Sequence, residues 1–297
     1  MPTSQKFTIT PRGPFSLREA ATFGFGQRLA PEWDGVMRLA FCLDGYREQV
    51  GVEVRQDAGE EVHCVAYGSS DLEPICRQVE RVLSLDQDAS GYLAVGQRDP
   101  VVARLLAVAP GLRPPLFYSP YEAAAWAVLS ARRPARQMAE VRRSLSEQHG
   151  RTFSLAGQQL AALPTPERLL TVTSIPGLSA DKVERLHGVA RAALTGQLDA
   201  SRLQEMGPEA AAADVRLIKG IGPFYSALIV VRGTGFVDVA PVNEPKLLEL
   251  VRQLYGLDAI PSPAEFLALA DSWRPFRTWV SVLIRAAGPR ILQGVAT

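Results

Sequence analysis

The sequence predicts an α+β protein, with an antiparallel sheet domain over roughly its first third and an all-α bundle over the rest. Between residues 36 and 67, three short β-rich runs alternate with glycine-bearing turns. From Asp99 onward, apolar residues recur at helical spacing in one short segment after another. Those segments are punctuated by Pro114-Pro115, Pro164, Gly177, Gly196, Pro241, Pro261 and Pro275, as in a bundle of short helices.

Residues 36–43, 49–55 and 61–67 read as strands, with Asp44-Gly45 and Ala58-Gly59 as their hairpin turns. Residues 71–85 place Leu72, Ile75, Val79, Val82 and Leu83 on one face of a helix that can back the sheet. The helical segments that follow are 100–108, 121–130, 136–148, 166–173, 180–195, 208–218, 224–232, 246–255, 263–272 and 276–287, with no convincing strand among them. A division into a sheet domain, 1–112, and a helical domain, 113–297, is expected.

Composition narrows the function. With 47% apolar and 21% charged residues, a chain of 297 residues can bury a core throughout, in one large domain or two. No apolar run approaches the ~20 residues that span a bilayer, so no membrane partner is expected. The opening MPTSQKFTITPRGP lacks the order of a signal peptide, which points to the cytoplasm. Cys42, Cys64 and Cys76 read as reduced thiols. No cysteine follows Cys76 in this chain, which excludes an iron–sulfur cluster ligated further along it. His63, His149 and His187 show no metal-ligand spacing, so no metal site is expected. The net charge of +1 conceals an asymmetry: residues 1–112 carry 11 Lys+Arg against 15 Asp+Glu, and residues 113–297 carry 21 against 16. A polyanion would meet the second part.

One stretch of that second part, residues 217–250, holds the chemistry. Gly220-Ile221-Gly222 is a turn that glycine takes without strain, and Pro223 then suits the first position of a helix. Such a turn leaves backbone N–H groups open at a helix N-terminus, which is an anion site. Lys219 stands beside it. Downstream come Asp238, Pro241 and Glu244. Glutamate is a poor helix cap, which favours a functional role for Glu244. A phosphate anchor followed by a positioned carboxylate fits a protein that grips a nucleic-acid backbone and acts on a sugar or base.

With these residues in view, the chain resembles the bacterial 3-methyladenine DNA glycosylase II group of the helix-hairpin-helix DNA glycosylase superfamily. The resemblance runs in order along most of the chain. It covers residues 81–88, Asp99-Pro100, 111–114 (GLRP), 121–130 (YEAAAWAVLS), Phe153 and 163–167 (LPTPE). It continues through Gly177-Leu178-Ser179, Lys182, 196–199 (GQLD), 218–223 (IKGIGP), Asp238-Val239-x-Pro241-x-x-Glu244 and 273–277 (WRPFR).

The resemblance implies a TATA-binding-protein-like sheet domain, then two helical subdomains with an active cleft between them. It assigns Gly220, Ile221, Gly222 and Lys219 to a DNA phosphate, with room for a monovalent cation but no other cofactor. Glu244 becomes the catalytic carboxylate and Asp238 a support of its loop. Phe224, Tyr225, Trp126 and Trp273 are the expected base-pocket aromatics, and Arg132 and Arg133 the segment that fills the gap left by a flipped base. Arg136, Arg142 and Arg143 are further candidate phosphate contacts. The implied partner is duplex DNA with damaged bases, bound by a monomer near the nucleoid, and the implied reaction is excision of alkylated purines.

Three departures bear on substrate choice. Glu244 stands where the family has Asp, Phe224-Tyr225-Ser226 stands where it has Trp-Thr-Ala, and Ala131-Arg132-Arg133-Pro134 replaces its usual wedge. Bifunctional relatives carry a Schiff-base lysine at the position of Phe224, so no lyase step is expected. The departures leave two alternatives: a homologue that binds damaged DNA with little or no excision, or a glycosylase of shifted lesion range. A carboxylate of Glu244 tied to an arginine and turned from the cleft would favour the binder.

Overall fold

A computed structural model describes residues 4–23, 33–58, 60–69 and 71–294. Gly59, half of the expected 58–59 turn, lies outside them. The first part contains Ser4–Ile9 (β1), Leu17–Phe23 (α1), Met37–Cys42 (β2), Gln49–Gln56 (β3), Val62–Tyr67 (β4) and Leu72–Val82 (α2). The strands form one antiparallel sheet in the order β1-β4-β3-β2.

Its register follows from the two-residue period of side chains. Val50, Val52 and Val54 face across to Phe41, Leu39 and Met37 on one side. On the other side, Val52 and Val54 oppose Ala66 and Cys64, and Cys64 opposes Phe7. This apolar face packs with Ile75, Val79 and Val82 of α2. Asp71 caps α2 by accepting from the N–H of Glu73. β1 and α1 were not anticipated: β1 alternates through only two large apolar residues, and α1 has seven residues in all.

The helical part comprises Ala94–Arg98 (α3), Pro100–Val108 (α4), Pro120–Ser130 (α5), Ala135–His149 (α6), Pro166–Leu170 (α7), Ala180–Leu194 (α8), Ala200–Met206 (α9) and Pro208–Val215 (α10). It ends with Pro223–Thr234 (α11), Pro245–Tyr255 (α12), Pro263–Ala270 (α13) and Arg277–Leu292 (α14). Two clusters hold it together. One joins α5 through α11 around Leu129, Leu186, Val189 and Val230. The other joins α3 and α4 to α12, α13 and α14 around Val102, Leu105, Val251, Trp273 and Ile284. Among the described residues, no helix is long and apolar enough to cross a membrane.

Two expectations need correction. The reading of no strand beyond Asp99 misses a hairpin, Thr152–Leu155 (β5) with Gln158–Ala161 (β6). Strands of four residues are too short to show a period. The signal was in the turn, where Ala156 (φ 43°) and Gly157 (φ 79°) take the double positive φ of a tight hairpin. This hairpin covers the second face of the sheet: Phe153 sits so close to Gly51 that a Cβ there would lie 2.6 Å from its ring.

The second correction concerns the boundary. A division at residue 112 cuts through the second helical cluster, because Tyr92, Val102, Leu105 and Leu112 pack against Leu247, Val251 and Leu283. The chain leaves the sheet core near Leu85, builds one wall of the C-terminal subdomain, and only then enters α5.

Arg113 pins that crossing. Its guanidinium is fully buried and donates to the carbonyls of Arg12, Gly13, Pro14, Ser84 and Gln87 at 2.6–3.2 Å. The rings of Phe15 and Trp279 lie 5.9 and 5.7 Å from it.

Candidate active site

The hairpin forms where α10 turns into α11. Ile218 and Ile221 are buried and anchor the turn in the first helical cluster. Gly220 lies at φ +96°, which only glycine adopts readily, and the stem of Arg185 passes 2.9 Å from where a Cβ would sit. Gly222 caps α11 with no side-chain partner for the helix N-terminus, and Pro223 follows at the first helical position. Nothing lies within 4 Å of a Cβ built on Gly222. With Pro223 and Phe224 exposed, the start of this 12-residue helix is open to solvent, the arrangement that suits an anion. Lys219 is exposed beside them.

α5 runs beside the hairpin helix, with every residue from Pro120 to Ser130 buried except Trp126. Trp126 is thus the one side chain through which the central helix meets solvent. On α11, Phe224 is 46% exposed, unusual for so large an apolar ring, and makes an edge contact with Tyr225 at 5.3 Å. The Tyr225 and Ser130 hydroxyls lie 3.1 Å apart, which ties α11 to α5. Trp273 does not join this group. Its indole is fully buried in the second cluster and donates to Asp99 at 2.9 Å. The expectation that it lines a base pocket is corrected, because a sealed core ring cannot stack on an incoming base.

Beyond α5, Arg132 takes a left-handed conformation (φ 57°), a strained choice for a residue with a Cβ. Arg132 and Arg133 are exposed. Lys182, from the first turn of α8, donates to the carbonyls of Leu129 (2.6 Å) and Ala131 (3.2 Å), and so fixes the base of this turn. Burial, then Arg133 and Arg185, push the Lys182 amine below its usual value. Arg185, whose stem runs beside Gly220, also pairs with Asp181 at 2.8 Å. Sequence reading gave Arg185 no role. Of the other candidate arginines, Arg142 pairs with buried Glu122 at 2.6 Å and Arg143 with Glu140 and Glu147 at 2.8 Å, while Arg136 is exposed. Arg142 is thereby tied to a buried acid, whereas Arg143 stays 62% exposed in a weak surface network.

The loop from α11 to α12 carries the acids. Asp238 accepts from the backbone N–H and side chain of Arg277, and from Arg274. Thr278 Oγ1 accepts from Val239 N–H at 2.9 Å and donates to its carbonyl at 3.0 Å, so the loop is stapled to the first turn of α14.

Glu244 occupies the cap position of α12 without capping it, because its side chain turns instead to Arg285. Its Oε1 lies 2.9 Å from Nε of Arg285, with the two side chains 24% and 32% exposed. Among the described residues, no other side-chain hydrogen bond or ion pair of Glu244 is present. Burial raises its carboxyl above the ordinary value, and Arg285, Arg232 and Lys246 act against that rise.

Local sequence carries no sign of Arg285 as a partner. Nor did it show that Asp57, Glu61 and His63 bring ligand atoms within 4.8 Å of one another on the turn between β3 and β4. There, the partly buried His63 pairs with Asp57 at 2.8 Å.

The site thus comprises an exposed hairpin amide end, the Phe224–Tyr225 ring pair and a loop-borne carboxylate, carried on the two helical clusters. No protein-family model matches the sequence. The chain is similar to the DNA-3-methyladenine glycosylase of Bacillus subtilis, with 22% identity over 213 residues, 70% of each chain. It superposes on the 3-methyladenine DNA glycosylase of Archaeoglobus fulgidus with a TM-score of 0.78 and 21% identity, covering 96% of this chain and 99% of that one. The 8-oxoguanine glycosylase/lyase of Clostridium acetobutylicum gives a TM-score of 0.66 at 16% identity, with 97% and 98% coverage. These likenesses show that the chain shares the fold of those two glycosylases.

Proposed function

We propose that this protein is a monofunctional DNA glycosylase that hydrolyses the N-glycosidic bond of alkylated purines of the 3-methyladenine type, initiating base-excision repair. The observation that carries this reading is a partly exposed loop carboxylate, Glu244, with one oxygen unengaged among the described residues, in a chain that also bears an open hairpin amide end. The names of the B. subtilis and A. fulgidus relatives support the substrate class.

In this reading, the hairpin amides and Lys219 hold a phosphate. The Arg132-Arg133 turn offsets the few kcal/mol that flipping a base costs. The flipped base stacks on Phe224 and Tyr225, with Trp126 behind, and a cationic alkylpurine gains from their ring faces. Such a base is already a good leaving group. The remaining need is charge compensation at C1′, which becomes oxocarbenium-like, and Glu244 supplies it while orienting water. With Phe224 on the first turn of α11, no amine attacks the sugar. The reaction calls for no organic cofactor, and a monovalent cation can complete the hairpin site. The protein acts as a monomer on duplex DNA in the cytoplasm.

Release of free methylated purine from N-methylated duplex DNA tests the reading directly. Its absence, with DNA binding retained, would favour the second reading, a damage-binding homologue, which the Glu244–Arg285 ion pair supports. Release confined to deaminated or other lesions would mean a shifted lesion range. The wedge assignment is checked separately. The Arg132→Ala, Arg133→Ala double variant is expected to weaken duplex binding and to lower the slope of log K against log salt by up to about 2, at ~0.9 per lost phosphate contact.

A further inference from the structure

The glutamate at the acid position has a feature that an aspartate there would lack: the reach to pair with α14. Arg277, Ser281 and Arg285 fall at i, i+4 and i+8 and so share one face of that helix. Arg277 grips Asp238 at the start of the acid loop, and Arg285 grips Glu244 at its end. One helical stripe thus holds both acids of the loop.

We propose that Arg285 is a positioning residue for the reaction, holding Glu244 through Oε1 in its ionised form and leaving Oε2 to face the sugar. This rests on the reading of Glu244 as the carboxylate that compensates charge at C1′. The charged groups facing Glu244 are Arg285 from α14, Arg232 from α11 and Lys246 from α12. Arg285 is the one in direct contact. Arg232 is committed elsewhere, donating to the Pro115 carbonyl and lying 5.8 Å from the Phe23 ring. Burial favours the protonated acid, and an opposite charge in contact favours the carboxylate. Removing that charge therefore lets Glu244 take up its proton at higher pH, and a protonated acid cannot compensate an oxocarbenium ion.

The test compares native protein, Arg285→Gln and Arg285→Lys by two readouts. The first is the titration of the Glu244 side-chain carboxyl, followed by carbon NMR in the folded protein without DNA. The second is the pH profile of base release. In Arg285→Gln the Glu244 titration should move up by roughly one unit or more. The acid limb of the release profile should move with it, and Arg285→Lys should restore most of both. An unmoved titration in Arg285→Gln overturns the proposal whatever the activity. So does a fall in release that is uniform across pH, since that marks a structural role alone. A shifted titration in a protein that releases no base would support the ion-pair role while sinking the function proposed for the site.

Discussion

Glu244→Gln is expected to cut release of methylated purine from duplex DNA by about 10²–10³-fold, the usual loss when one preorganised electrostatic group is removed from a transition state. Glutamine is nearly isosteric, so neither the loop nor the hairpin should move, and affinity for undamaged duplex should hold. The loss should therefore fall on the chemical step, seen in single-turnover release. Glu244→Asp separates charge from reach. It keeps the carboxylate but withdraws it by about 1 Å, an error of a size that can cost ~10²-fold. It also pulls the acid away from Arg285, now 2.9 Å distant. Equal release by native protein and Glu244→Gln would remove Glu244 from the mechanism.

Arg113→Met is expected to be the most destabilising single change outside the site. The side chain is fully buried and serves five backbone carbonyls from two separate segments, 12–14 and 84–87. Methionine fills much of the volume and supplies no donor. An acceptor left buried without a partner costs about 1–3 kcal/mol, so a loss of at least ~3 kcal/mol is expected, a large share of an ordinary domain's stability. Arg113→Lys should recover little, because a compact ammonium with three donors cannot reproduce a planar five-donor fork. Chemical denaturation followed by circular dichroism measures both variants. A midpoint for Arg113→Met equal to that of the native protein would show that the carbonyls find other donors.

Much of the fold was legible in the chain. The period-two strands at 37–42, 49–56 and 62–67 and the helix at 72–82 announce themselves, because a half-buried surface repeats every two residues in a strand and every 3.6 in a helix. Helices 100–108 and 120–130 begin at prolines preceded by Asp99 and Ser119, whose side chains accept from the helices' first amides. What was missed was short: β1, α1, the Thr152–Ala161 hairpin, and the five- and seven-residue helices at 94–98 and 200–206. Elements of that length make few periodic contacts of their own and owe their form to the surfaces they cover.

The site divides in the same way. Gly220 and Pro223 could be read as the turn and helix start from backbone preference alone, because positive φ and a missing N–H are properties of single residues. Phe224 could be singled out by its place directly after that turn and Glu244 as a poor helix cap, with the family resemblance implying their roles. Whether an aromatic stacks on a base or seals a core is different, since it depends on which surfaces meet. Trp126 and Trp273 both lie in helical stretches of the second part, yet one opens to solvent from a central helix and the other closes a core against Asp99. In the sequence Arg142 was a candidate phosphate contact and Arg285 had no assigned role, and the fold pairs them with Glu122 and Glu244. By itself, the sequence determined the turns, the helical and strand periods and the residue types available for chemistry. Only the tertiary structure decided which cations are neutralised and which aromatics are exposed, because those properties belong to pairs of residues far apart in the chain.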